Sequence, residues 1–93
     1  MDLSIIIVNW NTCELLKKCL ESITQFTHDI LYEMIVIDNG SGDGSVEMVE
    51  SSFPSVNLIK NKINHGFSKG VNQGIKTANG GNLLLLNSDT YIN

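Results

Sequence analysis

The chain has 93 residues, of which 42% are hydrophobic and 17% charged, the composition of one small globular domain rather than a disordered or collagen-like chain. Six lysines, no arginine and ten acids leave a net charge of −4, which excludes a binder of long nucleic acids, since phosphate backbones demand a dense cationic surface. No apolar run approaches the ~20 residues of a membrane span, and the N-terminus lacks the basic region of a signal peptide.

The first predicted element is a strand. Ser4 to Val8 is a continuous β-branched run, as expected of a strand covered on both faces of a parallel sheet. Asn9-Trp10-Asn11-Thr12 breaks it, and a helix follows. Asn11 or Thr12 is the expected N-cap, and Asn11 with Glu14 resembles a capping box. Leu15, Leu16, Cys19, Leu20 and Ile23 form one apolar stripe. Cys13 and Cys19 would lie roughly 9 Å apart along that helix, beyond the ~7 Å reach of a disulfide. Two reduced thiols in a cytoplasmic protein are the expectation.

Met34 to Ile37, with Tyr32 as a possible start, is the second strand, ending in the turn-rich run Asp38 to Ser45. Val46, Val49 and Phe53 give a short second helix, closed near Pro54, and Val56 to Ile59 a third strand. After the turn Asn64-His65-Gly66, the apolar positions Phe67, Val71, Ile75 and Ala78 predict a third helix, with Asn79-Gly80-Gly81 as its C-cap. Leu83 to Leu86 is the fourth strand, followed by Asn87-Ser88-Asp89-Thr90. Strands joined by helical crossovers run parallel, so the fold class is α/β: a three-layer α/β/α sandwich on a mainly parallel four-stranded sheet.

Every unusual polar cluster follows a strand: Asn9 to Asn11, Asp38 to Ser45, Asn64 to Gly66, and Asn87 to Thr90. In open α/β sheets ligands bind beyond the carboxyl ends of the strands, so the four clusters together define a candidate site. Asp38 reads either as an acceptor for a ligand's N–H or hydroxyl groups or as an Asx turn or helix cap for the next loop, and the four-cluster context favours the ligand. Asp43 reads as a cap, since Gly44-Ser45 opens a helix. Asp89 reads as a hard-metal ligand or a turn former. Lys69, near the start of the third helix, could meet phosphate or be solvated. Trp10 could stack on a base, although a core position is slightly favoured. The glycines of Gly40-Ser41-Gly42-Asp43-Gly44 have neither the spacing nor the place of a dinucleotide fingerprint, and an EF-hand count from Asp38 puts Val49 where a Glu is required.

The ordered set S-I-I-I-V-N-W-N-T, I-V-I-D-N-G-S-G-D-G-S, N-x-x-N-H-G-F-S-K-G-V-N-Q-G-I and L-L-L-L-N-S-D-T resembles the N-terminal half of family 2 glycosyltransferases. The nearest resemblance is to the rhamnosyltransferase-like branch. It implies a Rossmann-like fold of the GT-A type and a nucleotide-diphosphate sugar donor bound at the strand ends. By position, Val8, Asn9 and Trp10 match the segment against base and ribose, and Asp38 and Asn39 the acidic pair that reads the base. Asn64 and Gly66 match the turn beside the nucleotide, and the cationic role is either missing or falls to Lys69. Asn87-Ser88-Asp89 matches the D-x-D motif, in which Asp89 would bind Mg2+ or Mn2+. Three positions depart from the family pattern: Asn39 replaces an acid, Asn87 replaces the first Asp of D-x-D, and Val71 stands where relatives carry Arg.

The resemblance further implies that residues 1–93 are a truncated donor-binding half. The general base and the site for a saccharide or lipid-linked acceptor would lie beyond Asn93. The parent enzyme would transfer a sugar with inversion in polysaccharide or cell-envelope assembly. It would work in the cytoplasm, at the inner face of the membrane through its missing part. The fragment alone would not catalyse transfer, and its open fourth strand predicts a homo-oligomer. The alternative is a nucleotide-binding module or remnant without chemistry. A dehydrogenase or nucleotidyltransferase ranks lower, because the first post-strand loop reads Asn9-Trp10-Asn11 where a glycine-rich phosphate loop belongs.

Overall fold

The structure, a computed structural model, describes residues 1–88. Seven elements alternate: β1 (Leu3–Asn9), α1 (Cys13–Phe26), β2 (Tyr32–Asn39), α2 (Ser45–Ser52), β3 (Asn57–Asn61), α3 (Phe67–Thr77) and β4 (Asn82–Asn87). The strands form one sheet in the order β3-β2-β1-β4, and every pairing is parallel. Paired residues share a face, so the registers Ile5↔Met34 and Ile7↔Val36 assign one side of the sheet, and Ile6↔Ile35 and Val8↔Ile37 the other.

Helices α1 and α2 cover the first side. Leu16, Cys19, Leu20 and Ile23 from α1 and Val49 from α2 pack with Ile5, Ile7, Met34 and Val36 in one buried cluster. Helix α3 covers the second side, over Ile6, Ile35 and Ile37. Full burial of such a side chain stabilises by roughly 2 kcal/mol. The two central strands, fully buried from Ile5 to Ile7 and from Ile35 to Ile37, therefore carry most of the driving force.

Four local expectations are corrected. The strands reach further than their apolar runs, so Asn9, Asp38, Asn39 and Asn87 belong to strands rather than to the loops after them. The capping box at Asn11 and Glu14 does not form. Thr12 is the N-cap of α1 without a side-chain capping bond, and Asn11 adopts φ 50°, which turns its amide oxygen towards the Gly42 N–H at 2.8 Å. Helix α3 has no glycine C-cap: Ala78 ends it in extended conformation, its N–H bonded to the Gly74 and Ile75 carbonyls. Gly80 instead lets the chain approach β1, where a Cβ would fall 2.5 Å from the Ser4 backbone nitrogen. Finally, α3 turns Gly70 and Gly74 to the sheet rather than the stripe Phe67, Val71, Ile75, of which Phe67 and Ile75 stay exposed. With no side chains at two successive turns the helix sits directly on Ile6, Val8 and Ile37.

Candidate functional site

Parallel strands all end at the same edge, and there the polar residues meet in two clusters, one on each face of the sheet. On the α1/α2 face, Asn9 pairs with Asp38 across β1 and β2. Asn9 is buried; its Nδ2 donates to Asp38 Oδ1 at 3.0 Å and more weakly to Ser41 Oγ at 3.3 Å, and its Oδ1 accepts from Thr12 Oγ1 at 2.7 Å. With the Thr12 proton so committed, the Ser88 hydroxyl donates to Thr12, tying the end of β4 to the start of α1.

Asp38 is 2% exposed. Its Oδ1 also accepts from Ser41 Oγ at 2.7 Å and its Oδ2 from the Ser41 N–H at 2.9 Å. The bonded N–H is three residues on, one further than in an Asx turn. A carboxylate offers about four acceptor sites, and three are filled from within the chain. Further out, Ser41 Oγ accepts from the Asn11 N–H at 2.9 Å, stitching the two loops together.

Asp43 closes the same side. Its Oδ2 accepts from the Cys13 N–H at 2.9 Å, in the first turn of α1, and its Oδ1 from the N–H and Oγ of Ser45, in the first turn of α2. One carboxylate thus serves two helix N-termini, where negative charge is favoured. Burial pushes its carboxyl up, but the bonds from Ser45 and Cys13 outweigh it and hold the group below its ordinary value. Burial and the neighbouring Asp43 and Glu14 carboxylates push the Cys13 thiol up, leaving it a poor nucleophile.

On the α3 face, Asn39 pairs with Asn61 across β2 and β3. Asn39 Nδ2 donates to the Gly66 carbonyl at 3.1 Å, and its Oδ1 accepts from Asn61 Nδ2 at 2.9 Å. Gly66 has φ 87° and ψ 169°, a region open essentially to glycine alone. Its N–H donates to Asn64 Oδ1 at 2.8 Å. Val8 lies under Gly70 of α3.

The expected site residues thus divide. Asn9 and Asp38 touch, Asn39 reaches Gly66, and Val8 and Asn87 are register partners on adjacent strands. Trp10, slightly favoured as a core residue, is 53% exposed at the rim, because β1 ends at Asn9 and the chain turns outward. Lys69 lines a hollow of ≈390 Å³ with His65, Asn72, Gln73 and Lys76. Asp89 lies outside the described residues. Thr12 was expected only as an N-cap, and no individual role was expected of Ser41, Asn61 or Gln73. Ser41 does lie in the polar run after β2, and Asn61 and Gln73 lie within the third of the four sequence motifs. The described residues hold no group of three His, Cys, Asp or Glu side chains able to bind a metal, and no helix long and apolar enough to cross a membrane.

A parallel α/β sheet with its polar groups gathered beyond the strand ends defines a domain whose ligands bind at that edge. The chain belongs to glycosyl transferase family 2, which it matches over residues 4–93. It is 32% identical over 99 residues to a poly(ribitol-phosphate) beta-glucosyltransferase of Bacillus spizizenii, covering 99% of this chain and 15% of that protein. Its fold is GT-A-like and superimposes on the N-terminal part of S. aureus TarS, solved in complex with UDP, with a TM-score of 0.85 at 29% identity, covering 100% of this chain and 29% of that one. Mannosyltransferase PcManGT from Pyrobaculum calidifontis, solved with GDP-Man and Mn2+, shares the fold at TM-score 0.85 and 21% identity over 96% of this chain and 28% of that one. The chain spans about a quarter of the length of the relatives it matches.

Proposed function

We propose that the rim binds the nucleotide of a nucleotide-diphosphate sugar, and that residues 1–93 are the donor-binding part of an inverting glycosyltransferase. The observation that carries this is the convergence of Asn9, Asp38 and Asn39 on one sheet edge, with Asp38 held between fixed neighbours. Asp38 would accept from the base or ribose, and its orientation is already set by Asn9 and Ser41, so little ordering is left for binding. Trp10, exposed beside it, would stack on the base. Asn64, Gly66 and Lys69 would border the diphosphate, with Lys69 in the first turn of α3 where the helix dipole also favours anions. Asn87 would face the same ligand from β4.

Asp89 is the proposed ligand of Mg2+ or Mn2+, by its match to the D-x-D motif; such a metal offsets charge on a departing diphosphate. The acceptor site and the general base are assigned to the larger share of the relatives' length that this chain does not span. The base would deprotonate the acceptor hydroxyl for attack on the anomeric carbon with inversion. The proposed acceptor is a saccharide or lipid-linked glycan in polysaccharide assembly on the cytoplasmic side of the membrane; the Bacillus spizizenii relative, named for a poly(ribitol-phosphate) acceptor, supports the polymer part of that reading. The 93-residue chain by itself is expected to transfer no sugar.

Calorimetry of the chain against UDP-, GDP- and dTDP-sugars, with and without Mg2+ or Mn2+, tests the reading; dTDP-sugars enter because of the resemblance to rhamnosyltransferases. One nucleotide class is expected to bind, and Asp38→Ala to weaken it at least tenfold. No binding of any donor by a chain shown to be folded by circular dichroism overturns the proposal.

A further inference from the structure

The α3 face of the rim holds a closed amide network beside the proposed nucleotide site. Asn61 Nδ2 donates to Asn39 Oδ1 at 2.9 Å and to Gln73 Oε1 at 2.8 Å, and Gln73 Nε2 returns a bond to Asn61 Oδ1 at 2.9 Å. Asn39, 1% exposed, passes the chain on to the Gly66 carbonyl. That carbonyl also accepts from the Gly70 N–H at 3.2 Å, which starts α3. The Gly66 oxygen can only accept, so Asn39 must present its NH2 there and its oxygen to Asn61. Asn61 must then donate to Asn39, and its own oxygen is left for Gln73. A flip of the Asn39 or Asn61 amide sets donor against donor or acceptor against acceptor, so a single arrangement survives.

We propose that Asn61 and Gln73 are positioning residues: acting through Asn39, they hold the Asn64–Gly66 turn in its glycine-only conformation, and they confine position 39 to a neutral amide. Its consequence for ligand binding rests on the nucleotide reading above; the clamp itself does not. The confinement explains why Asn stands where the family resemblance expects an acid. An aspartate at 39, itself buried, still accepts from Asn61, but its second oxygen faces the carbonyl of the exposed Gly66 with no proton between them. Protonated, the same side chain regains a donor. The charged or titratable side chains on the elements around this site are Lys60 on β3, Lys62 and His65 in the turn, Lys69 and Lys76 on α3, Asp38 on the other face of β2, and Tyr32 and Glu33 at the far end of β2, where Glu33 is bonded to Ser4 and Asn79. None of them hydrogen-bonds to the network: Lys60 pairs with Glu50, and Asp38 with Asn9 and Ser41.

Nuclear magnetic resonance of the ligand-free chain tests the clamp. In wild type the Asn39 side-chain NH2 and the Gly70 N–H are expected to be protected from solvent exchange. Asn61→Ala and, independently, Gln73→Leu should each speed exchange at Gly70 about tenfold while leaving the Leu16 N–H of α1 unchanged. Asn39→Asp should lose protection at neutral pH and regain it as pH falls through its own carboxyl titration, a response that a lost packing contact does not give. UDP or GDP-sugar affinity should fall about fivefold to tenfold in the first two variants, the worth of one hydrogen bond. Wild-type exchange at Gly70 in both Asn61→Ala and Gln73→Leu overturns the clamp, as does an Asn39→Asp protein that is protected at neutral pH. Altered exchange without nucleotide binding by wild type upholds the clamp and removes the donor-site reading instead.

Discussion

Asp43 shows how much one side chain does at this rim. It joins the loops after β1 and β2 by accepting from Cys13 and Ser45. Asp43→Ala leaves two helix N-termini without this acceptor and should cost about 1 kcal/mol, the worth of a capping bond, read as a shift in the urea midpoint. Its folded pKa is depressed, so the stability it contributes is present above the unfolded value and is lost as pH falls through the folded one. The wild type should therefore destabilise below pH ~4 more steeply than Asp43→Ala in acid titrations followed by circular dichroism. Individual residues were only partly legible in the sequence. Asp38, Asn9 and Asp43 stood out because each directly follows or caps an apolar segment. The bonds made by Ser41, Thr12, Asn61 and Gln73 were not legible, because they depend on partners as far as 76 residues away, as with Thr12 and Ser88.

At the scale of elements, apolar runs and turn residues marked all seven, since β-branched strands and a 3.6-residue stripe are written locally. The exception is the buried face of α3, which is made of glycine and so leaves no hydrophobic signature. Gly70 and Gly74 give this helix a testable asymmetry. Alanine gains about 1 kcal/mol over glycine in a helix. At Gly74 a Cβ would come within 2.4 Å of Ile6 Cγ2, a methyl wedged in the core, whereas at Gly70 the nearest atoms, both on Val8, are 3.0 and 3.1 Å away. Overpacking costs ~1–3 kcal/mol, so Gly74→Ala should lower Tm, and Gly70→Ala should leave it near the wild-type value. Another knot holds the opposite end of the sheet. Glu33 Oε2 accepts from Ser4 Oγ at 2.6 Å and the Asn79 N–H at 2.7 Å, which hold its carboxyl below the ordinary value and fix the connection from α3 to β4.

At the scale of the whole molecule, β4 is the least buried strand of the sheet among the described residues. Leu83, Leu84 and Leu85 are 46%, 38% and 46% exposed. An apolar edge strand of this kind templates pairing with another chain. The 93-residue chain should therefore self-associate with rising concentration, and Leu85→Lys should shift light scattering towards the monomer; a wild type that stays monomeric at millimolar concentration contradicts this. The centre of the sheet places a different demand on the sequence. The rim's two polar networks lie on opposite faces, yet they are anchored by neighbours in the chain, Asp38 and Asn39. Successive strand residues alternate sides, so deleting a single residue between Tyr32 and Ile37, with the start of the strand held in register, would turn the carboxylate to the α3 face and the amide to the face of α1 and α2. The loops around this strand can change length without that exchange; the strand itself cannot lose a single residue without it.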